Sequence, residues 1–158
     1  MLFALLLAGS VPVQAQTDVS TTKLFSQVKT AYGEKFPLSK ENEINTKMKN
    51  LFGQYSTILG VSAKYFSEYK AAKKSDSKEE YVCFICKATS DDNVSVIKAA
   101  MKEYVSNEKK GNENYFSKKG KKLMKNAKVG SKGMYVYMFI LDTKKNKKAI
   151  KAFKKAIA

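Results

Sequence analysis

Two cysteines three residues apart, Cys83 and Cys86, are the first residues to weigh for chemistry. A CxxC pair serves either as half of a zinc site or as a redox dithiol. Zinc needs four ligands, and the sequence supplies no second cysteine pair and no histidine. A redox pair opens a helix after a strand, whereas here apolar residues continue on both sides, in YVCFICKA. Within a strand, side chains three apart point to opposite faces. Their Cα atoms then stand ~10 Å apart, beyond the ~7 Å that a disulfide can bridge. Both cysteines are expected to be reduced core residues, acting as small hydrophobes.

Lysine is the second candidate. All 30 cationic side chains are lysine, against 14 acids, which gives a formal net charge of +16. The absence of histidine excludes an imidazole base and a Ser-His-Asp triad. The absence of arginine removes the planar fork that clamps phosphate, carboxylate or guanine in two bonds. Two dense runs make a candidate anion-binding patch. One holds Lys118, Lys119, Lys121, Lys122 and Lys125; the other holds Lys144, Lys145, Lys147, Lys148, Lys151, Lys154 and Lys155. Such runs attract anionic polymers or lipid head groups over ~8–10 Å at physiological salt. The competing account is compositional: an AT-rich genome writes lysine on any solvated face, alongside abundant Asn, Ile, Tyr and Phe.

The acids stand in no catalytic frame. Asp91-Asp92 suits a helix start, Glu79-Glu80 a loop edge, and Glu41 with Glu43 an early helical turn. No phosphate loop, nucleophile elbow or HExxH occurs. No metal and no cofactor is expected.

The elements that must position these residues follow from the apolar spacing. Leu24, Phe25, Val28, Ala31 and Tyr32 predict a helix that Thr21-Thr22 cap and Gly33 stops. Phe36-Pro37 forces an extended link. Ser39 opens a second predicted helix with Ile44, Met48, Leu51 and Phe52 on one stripe and Gly53 at its end. Residues 55–59 read as a strand or an irregular link. Ser62 opens a third predicted helix bearing Phe66, Tyr69 and Ala72, and the polar residues 73–80 read as a loop. Residues 81–88 predict a strand. Asp91-Asp92-Asn93 starts a long helix carrying Val94, Ile97, Ala100, Met101, Tyr104 and Val105, and residues 109–126 read as partly helical. Residues 127–130 and 134–141, around a turn at Ser131-Lys132-Gly133, predict a hairpin, and residues 144–157 a closing amphipathic helix. That helix has a basic and an apolar face; Ile150 and Phe153 suit packing on a sheet better than lying on a membrane.

This order argues an α+β domain: a small antiparallel sheet of roughly three to four strands, packed with about four to five helices. The strand MYVYMFIL is apolar on both faces. Helices on both sides of the sheet make it core; helices on one side leave Tyr135, Tyr137 and Phe139 as a candidate contact surface.

Residues 1–15 read as an export signal, with an unbroken apolar run and then Val13 and Ala15 as small residues before a cut near Ala15-Gln16. The run is short of the ~20 residues that span a bilayer, so no transmembrane span is expected. No lysine precedes it. The expected division is therefore a signal peptide over residues 1–15 and a single domain over residues 16–158, located outside the cytoplasm. All 30 lysines and 14 acids stay with that domain.

The order of segments resembles a family of exported bacterial proteins of unknown function, commonly lipoproteins of low-GC Gram-positive bacteria. The resemblance is carried by Ala31-Tyr32-Gly33 with Phe36-Pro37, the strand over residues 81–88, and Val96-Ile97-Lys98-Ala99-Ala100. Tyr115, Asn126-Ala127-Lys128-Val129 and Gly133-Met134-Tyr135-Val136 continue it. It implies a compact α+β domain at the cell surface and carries over no established activity or catalytic residues. Leu7-Ala8-Gly9-Ser10 departs from a lipoprotein box, because serine stands where the lipidated cysteine would be, so lipid anchorage is not expected.

Taken together, these features favour a secreted or cell-surface basic domain that binds without catalysis, through its lysines. The expected partners are anionic cell-wall polymer, lipid head groups or an envelope protein. Nucleic acid is not expected, since export removes it and arginine is the residue that reads bases. Two other classes stay open: a hydrolase-type enzyme with a carboxylate, Tyr or Lys cleft, and a structural protein that self-associates. The sequence leaves the oligomeric state open.

Overall fold

The computed structural model describes residues 18–44, 57–76 and 78–157. Among the described residues, helices α1 (Thr21–Tyr32), α2 (Asp91–Gly111), α3 (Lys118–Lys125) and α4 (Thr143–Ala156) accompany two antiparallel sheets. The smaller sheet is a hairpin of β1 (Thr57–Ile58) and β2 (Val61–Ser62). Its two-residue loop, Leu59-Gly60, has positive φ at both positions, as the right-handed strand twist requires. The larger sheet has the order β3-β4-β6-β5, from β3 (Phe66–Asp76), β4 (Glu79–Ala88), β5 (Lys128–Lys132) and β6 (Tyr135–Ile140). The architecture is α+β, as expected.

Central strands β4 and β6 are apolar on both faces because both faces are covered. Directly paired residues share a face, so Val82, Phe84 and Cys86 stand with Ile140, Met138 and Val136. Helix α2 covers that side with Ile97 and Met101. Cys83 and Ile85 share the other side with Phe139 and Tyr137. There α4 packs Phe153 against Tyr137, with ring centroids 4.8 Å apart, and α1 packs beside α4. Each large side chain so buried contributes about 1.5–3 kcal/mol relative to exposure. Tyr135, Tyr137 and Phe139 are therefore buried core residues, and the exposed contact surface they would have formed does not exist in this arrangement. Cys83 and Cys86 are buried on opposite faces without a bridge, and burial pushes the Cys86 thiol up to about 12.

Three sequence expectations are corrected. The helix predicted from Ser62 is a single 3-10 turn over Ala63–Tyr65, followed by the eleven-residue strand β3. A bulge between Phe66 and Glu68 is the physical reason for the difference. It places Phe66 and Tyr69, three apart, on one face, where each meets Phe84 edge-on. Helical spacing and a bulged strand share that pattern. The polar loop expected over residues 73–80 is instead the continuation of β3 and the start of β4, its charges carried by cross-strand pairs such as Lys73–Glu80 at 3.1 Å. From Ser39 the described chain makes the 3-10 turn Lys40–Asn42, and by Ile44 it is extended rather than helical, its N–H donating to the Ala71 carbonyl. Met48, Leu51, Phe52 and Gly53 lie outside the described residues.

At the N-terminal helix the cap is Ser20, one residue before the expected threonines, its hydroxyl accepting from the Lys23 N–H at 3.2 Å. Thr21 is buried and donates both its N–H and its hydroxyl to Glu68. Gly33, at φ +97°, ends the helix where other residues would be strained. Among the described residues no helix is long and apolar enough to cross a membrane.

Candidate anion-binding groove

Helix α2 runs from Asp91 to Gly111, capped by Ser90 and with Asp91-Asp92 at its positive end. Its buried stripe of Ile97, Met101 and Val105 faces the sheet. Lys102 and Lys109 flank that stripe on the exposed side, seven residues apart and so ~10.5 Å along the axis. Helix α3 lies near its end. Ser117 caps α3, accepting from the Gly120 N–H at 3.0 Å, while the Ser117 N–H donates to the Lys78 carbonyl at 3.1 Å. Leu123 and Met124 of α3 are buried, which leaves Lys121 and Lys125 outward.

Between these elements are two cavities. The first, ≈ 320 Å³, has Phe116 and Met124 for its floor and Lys109, Lys110, Lys121 and Lys125 for its walls, with Glu113 the one acid. The second, ≈ 360 Å³, lies between α2 and β5. Lys102, Lys109 and Lys128 surround Val105, Val129 and Ala127, and Ser106 adds a hydroxyl. Lys109 lines both, so the cavities form one groove. Among the described residues the ion pairs occupy Lys70, Lys73, Lys74, Lys87 and Lys119, and none of the groove's lysines is in one. Six ammonium groups with uncommitted donors, beside one carboxylate, favour a bound anion and disfavour a cation.

The lysines singled out from the sequence divide among several roles. Lys121 and Lys125 line the groove. Lys118 and Lys122 are exposed on α3. Lys119 is a structural pin: it bonds Glu79 at 2.9 Å and sits over the Tyr81 ring, and its hydrogen bonds to Tyr81 and Glu79 push its pKa up. On α4, Lys144, Lys147, Lys148, Lys151, Lys154 and Lys155 are exposed, on the face of the sheet away from α2. Lys145 donates to the Tyr32 carbonyl at 2.6 Å and ties α4 to α1. Of the two runs, Lys121 and Lys125 are the members that line the groove. Lys102, Lys109, Lys110 and Lys128, which complete the groove, were not among the sequence candidates. The signal for two of them was present: Lys102 and Lys109 recur every seven residues beside the apolar stripe of α2.

A different polar cluster lies on the α2 face of the sheet. Glu80 is buried, and its carboxylate accepts from Tyr104 at 3.0 Å and pairs with Lys73 at 3.1 Å; Lys73 also donates to the Tyr104 hydroxyl at 2.7 Å. Burial and the neighbouring Glu80 push the Tyr104 hydroxyl well above the usual phenol range. Neither cavity is lined by this cluster.

Residues 38–141 match a domain of unknown function, DUF4358. The chain belongs to this family. No curated protein and no solved structure matches it. The DUF4358 region takes in both sheets, α2 and α3, hence every residue of the groove, and ends before α4 begins at Thr143. The family is uncharacterised, in keeping with the resemblance noted from the sequence.

Proposed function

We propose that this DUF4358 protein is an extracytoplasmic binding module that holds a phosphate-type anionic partner of the cell envelope in the α2–α3–β5 groove, without catalysing a reaction. The observation that carries this reading is the meeting of six lysines, free of ion pairs, over an apolar floor. Lysine suits the task as a mobile point charge that pairs with anions of varied shape. The leader-like residues 1–15 support a location outside the cytoplasm. The Glu80 cluster supports binding over chemistry: its one buried acid is already neutralised by Lys73 and bonded by Tyr104. Glu80 lines neither cavity, so it faces no bound ligand there.

Retention of the purified chain on envelope fragments at low and high salt tests the proposal. Strong retention at low salt should fall steeply as salt rises, since the attraction is between solvated charges. Lys109→Gln with Lys125→Gln should weaken it, and the charge-matched pair Lys147→Gln with Lys151→Gln should not. Equal loss from both pairs, or retention indifferent to salt, would overturn the groove as the site. For location, the native protein should have a mass that begins near Gln16; an intact leader on cytoplasmic protein would overturn that part.

A further inference from the structure

We infer that the groove's occupant is a linear chain of repeating phosphate groups laid along α2, with one stretch in each cavity. This deepens the reading above and rests on it. The argument begins with spacing. Lys102 and Lys109 are ~10.5 Å apart along the α2 axis and flank the second cavity between them, and Lys109 with Lys110 opens onto the first. Across the groove the second wall repeats the arrangement, with Lys128 of β5 facing one cavity and Lys121 and Lys125 of α3 the other. A single phosphate reaches one end only. A chain longer than ~10 Å places an anion at both, and the second contact forms at high effective concentration.

Size points the same way. At ≈ 320 and ≈ 360 Å³ each cavity is at the lower limit of ordinary ligand sites, ~300–1,000 Å³, so each takes one small unit. The lysine-only lining carries no planar fork to recognise one particular head group. It suits a repeat in which every unit presents the same charge. Concavity separates this occupant from a membrane: a bilayer is flat, and the floor residues Phe116 and Met124 are buried below the lysine rim, out of its reach. Nucleic acid is a phosphate chain as well, but its single strands are held by aromatic platforms lining the groove; Phe116 is buried, and the exposed Tyr115 beside it lines neither cavity.

The test is calorimetric titration of the full chain, at one ionic strength, with orthophosphate, short polyphosphate and polyphosphate longer than the groove. Affinity should step up about tenfold or more once the chain covers ~10 Å, and then level off per bound chain. Lys102→Gln and Lys128→Gln should each weaken the long chain about fivefold and leave orthophosphate binding in the first cavity unchanged. Lys109→Gln should weaken both probes; Lys147→Gln should change neither by as much as twofold. If affinity depends on Lys109 but not on length, the spanning chain is refuted and the anion groove stands. If the groove variants and Lys147→Gln behave alike with every probe, both readings fail. Tighter binding of oligothymidylate or of anionic vesicles through the same lysines would refute the occupant. All four lysines are exposed, so circular dichroism of each variant should match the parent.

Discussion

Gly120→Ala sets two effects of opposite sign against each other, and the structure says which one wins. Gly120 is inside α3, where its φ is ordinary and alanine is favoured by about 1 kcal/mol on helix propensity alone. Space argues the other way. A Cβ at this position meets the Lys78 carbonyl oxygen at 2.3 Å and Phe116 side-chain atoms at 3.1 and 3.2 Å. Ordinary contact begins near 3.4 Å, so helix and turn must separate by about 1 Å. The obstacle is backbone, and Lys78 is itself held at φ +61° in the β3–β4 turn. Separation also stretches the Ser117 N–H bond to that carbonyl, which helps fix the helix start. Overpacking of this kind costs about 1–3 kcal/mol, and a strained hydrogen bond adds about 0.5–1.5 kcal/mol. After the propensity gain, a net destabilisation of about 0.5–3.5 kcal/mol is expected. Urea unfolding followed by circular dichroism measures it, and Ser117→Ala, at about 1 kcal/mol, calibrates the loss of the cap. Because α3 carries Lys121 and Lys125, the same variant should bind long polyphosphate several-fold more weakly. A higher urea midpoint with unchanged affinity would refute the close contact between α3 and the turn.

Phe153→Ala should cost about 3–5 kcal/mol, because Phe153 is fully buried against Tyr137 and Phe139; thermal unfolding should shift down by roughly 10 °C. A loss below about 1 kcal/mol would contradict the α4 cover on that face. Alkaline pH should destabilise the fold through Tyr32 and Tyr104, whose hydroxyls burial raises first and Asp142 or Glu80 raises further. The unfolded chain loses those protons near pH 10 while the folded one keeps them, so stability holds below pH ~10 and falls above it. Urea midpoints that stay flat across this range, with every tyrosine titrating normally by absorbance, would count against the burial of these two rings.

What was legible in the sequence was whatever local spacing decides. β4, α2, the C-terminal hairpin and α4 each carry an apolar period that only one element satisfies. The failures occur where two structures share a period or where polarity hides a partner. Phe66 and Tyr69 fit a helix face and a bulged strand equally well, and only the long-range pairing of β3 with β4 chooses between them. Lys73, Lys74 and Asp76 resembled a loop because their cross-strand partners are invisible in a list of residues. The groove was half legible for the same reason. Reading by runs found Lys121 and Lys125, which are neighbours in sequence. It did not find Lys102, Lys109, Lys110 and Lys128, which α2 and β5 bring to the same place from other parts of the chain.

That distinction bears on what the lysine excess means. Compositional drift places lysine wherever solvent tolerates it, and so predicts that the lysines of a solvated helix are interchangeable. The described lysines are not equivalent in their surroundings. Lys73, Lys87 and Lys119 pair with acids, and Lys145 holds a backbone carbonyl between two helices. The groove lysines have no such partner, yet three separate elements aim them at one pair of cavities. Mutual repulsion among six ammonium groups works against the folded state, and more strongly as salt falls. Replacing one groove lysine by glutamine should therefore leave stability equal or higher at low salt, while phosphate-chain binding drops. Drift predicts no link between those two changes. A site maintained against its own repulsion couples them, and removing Lys147 from α4 should reproduce neither.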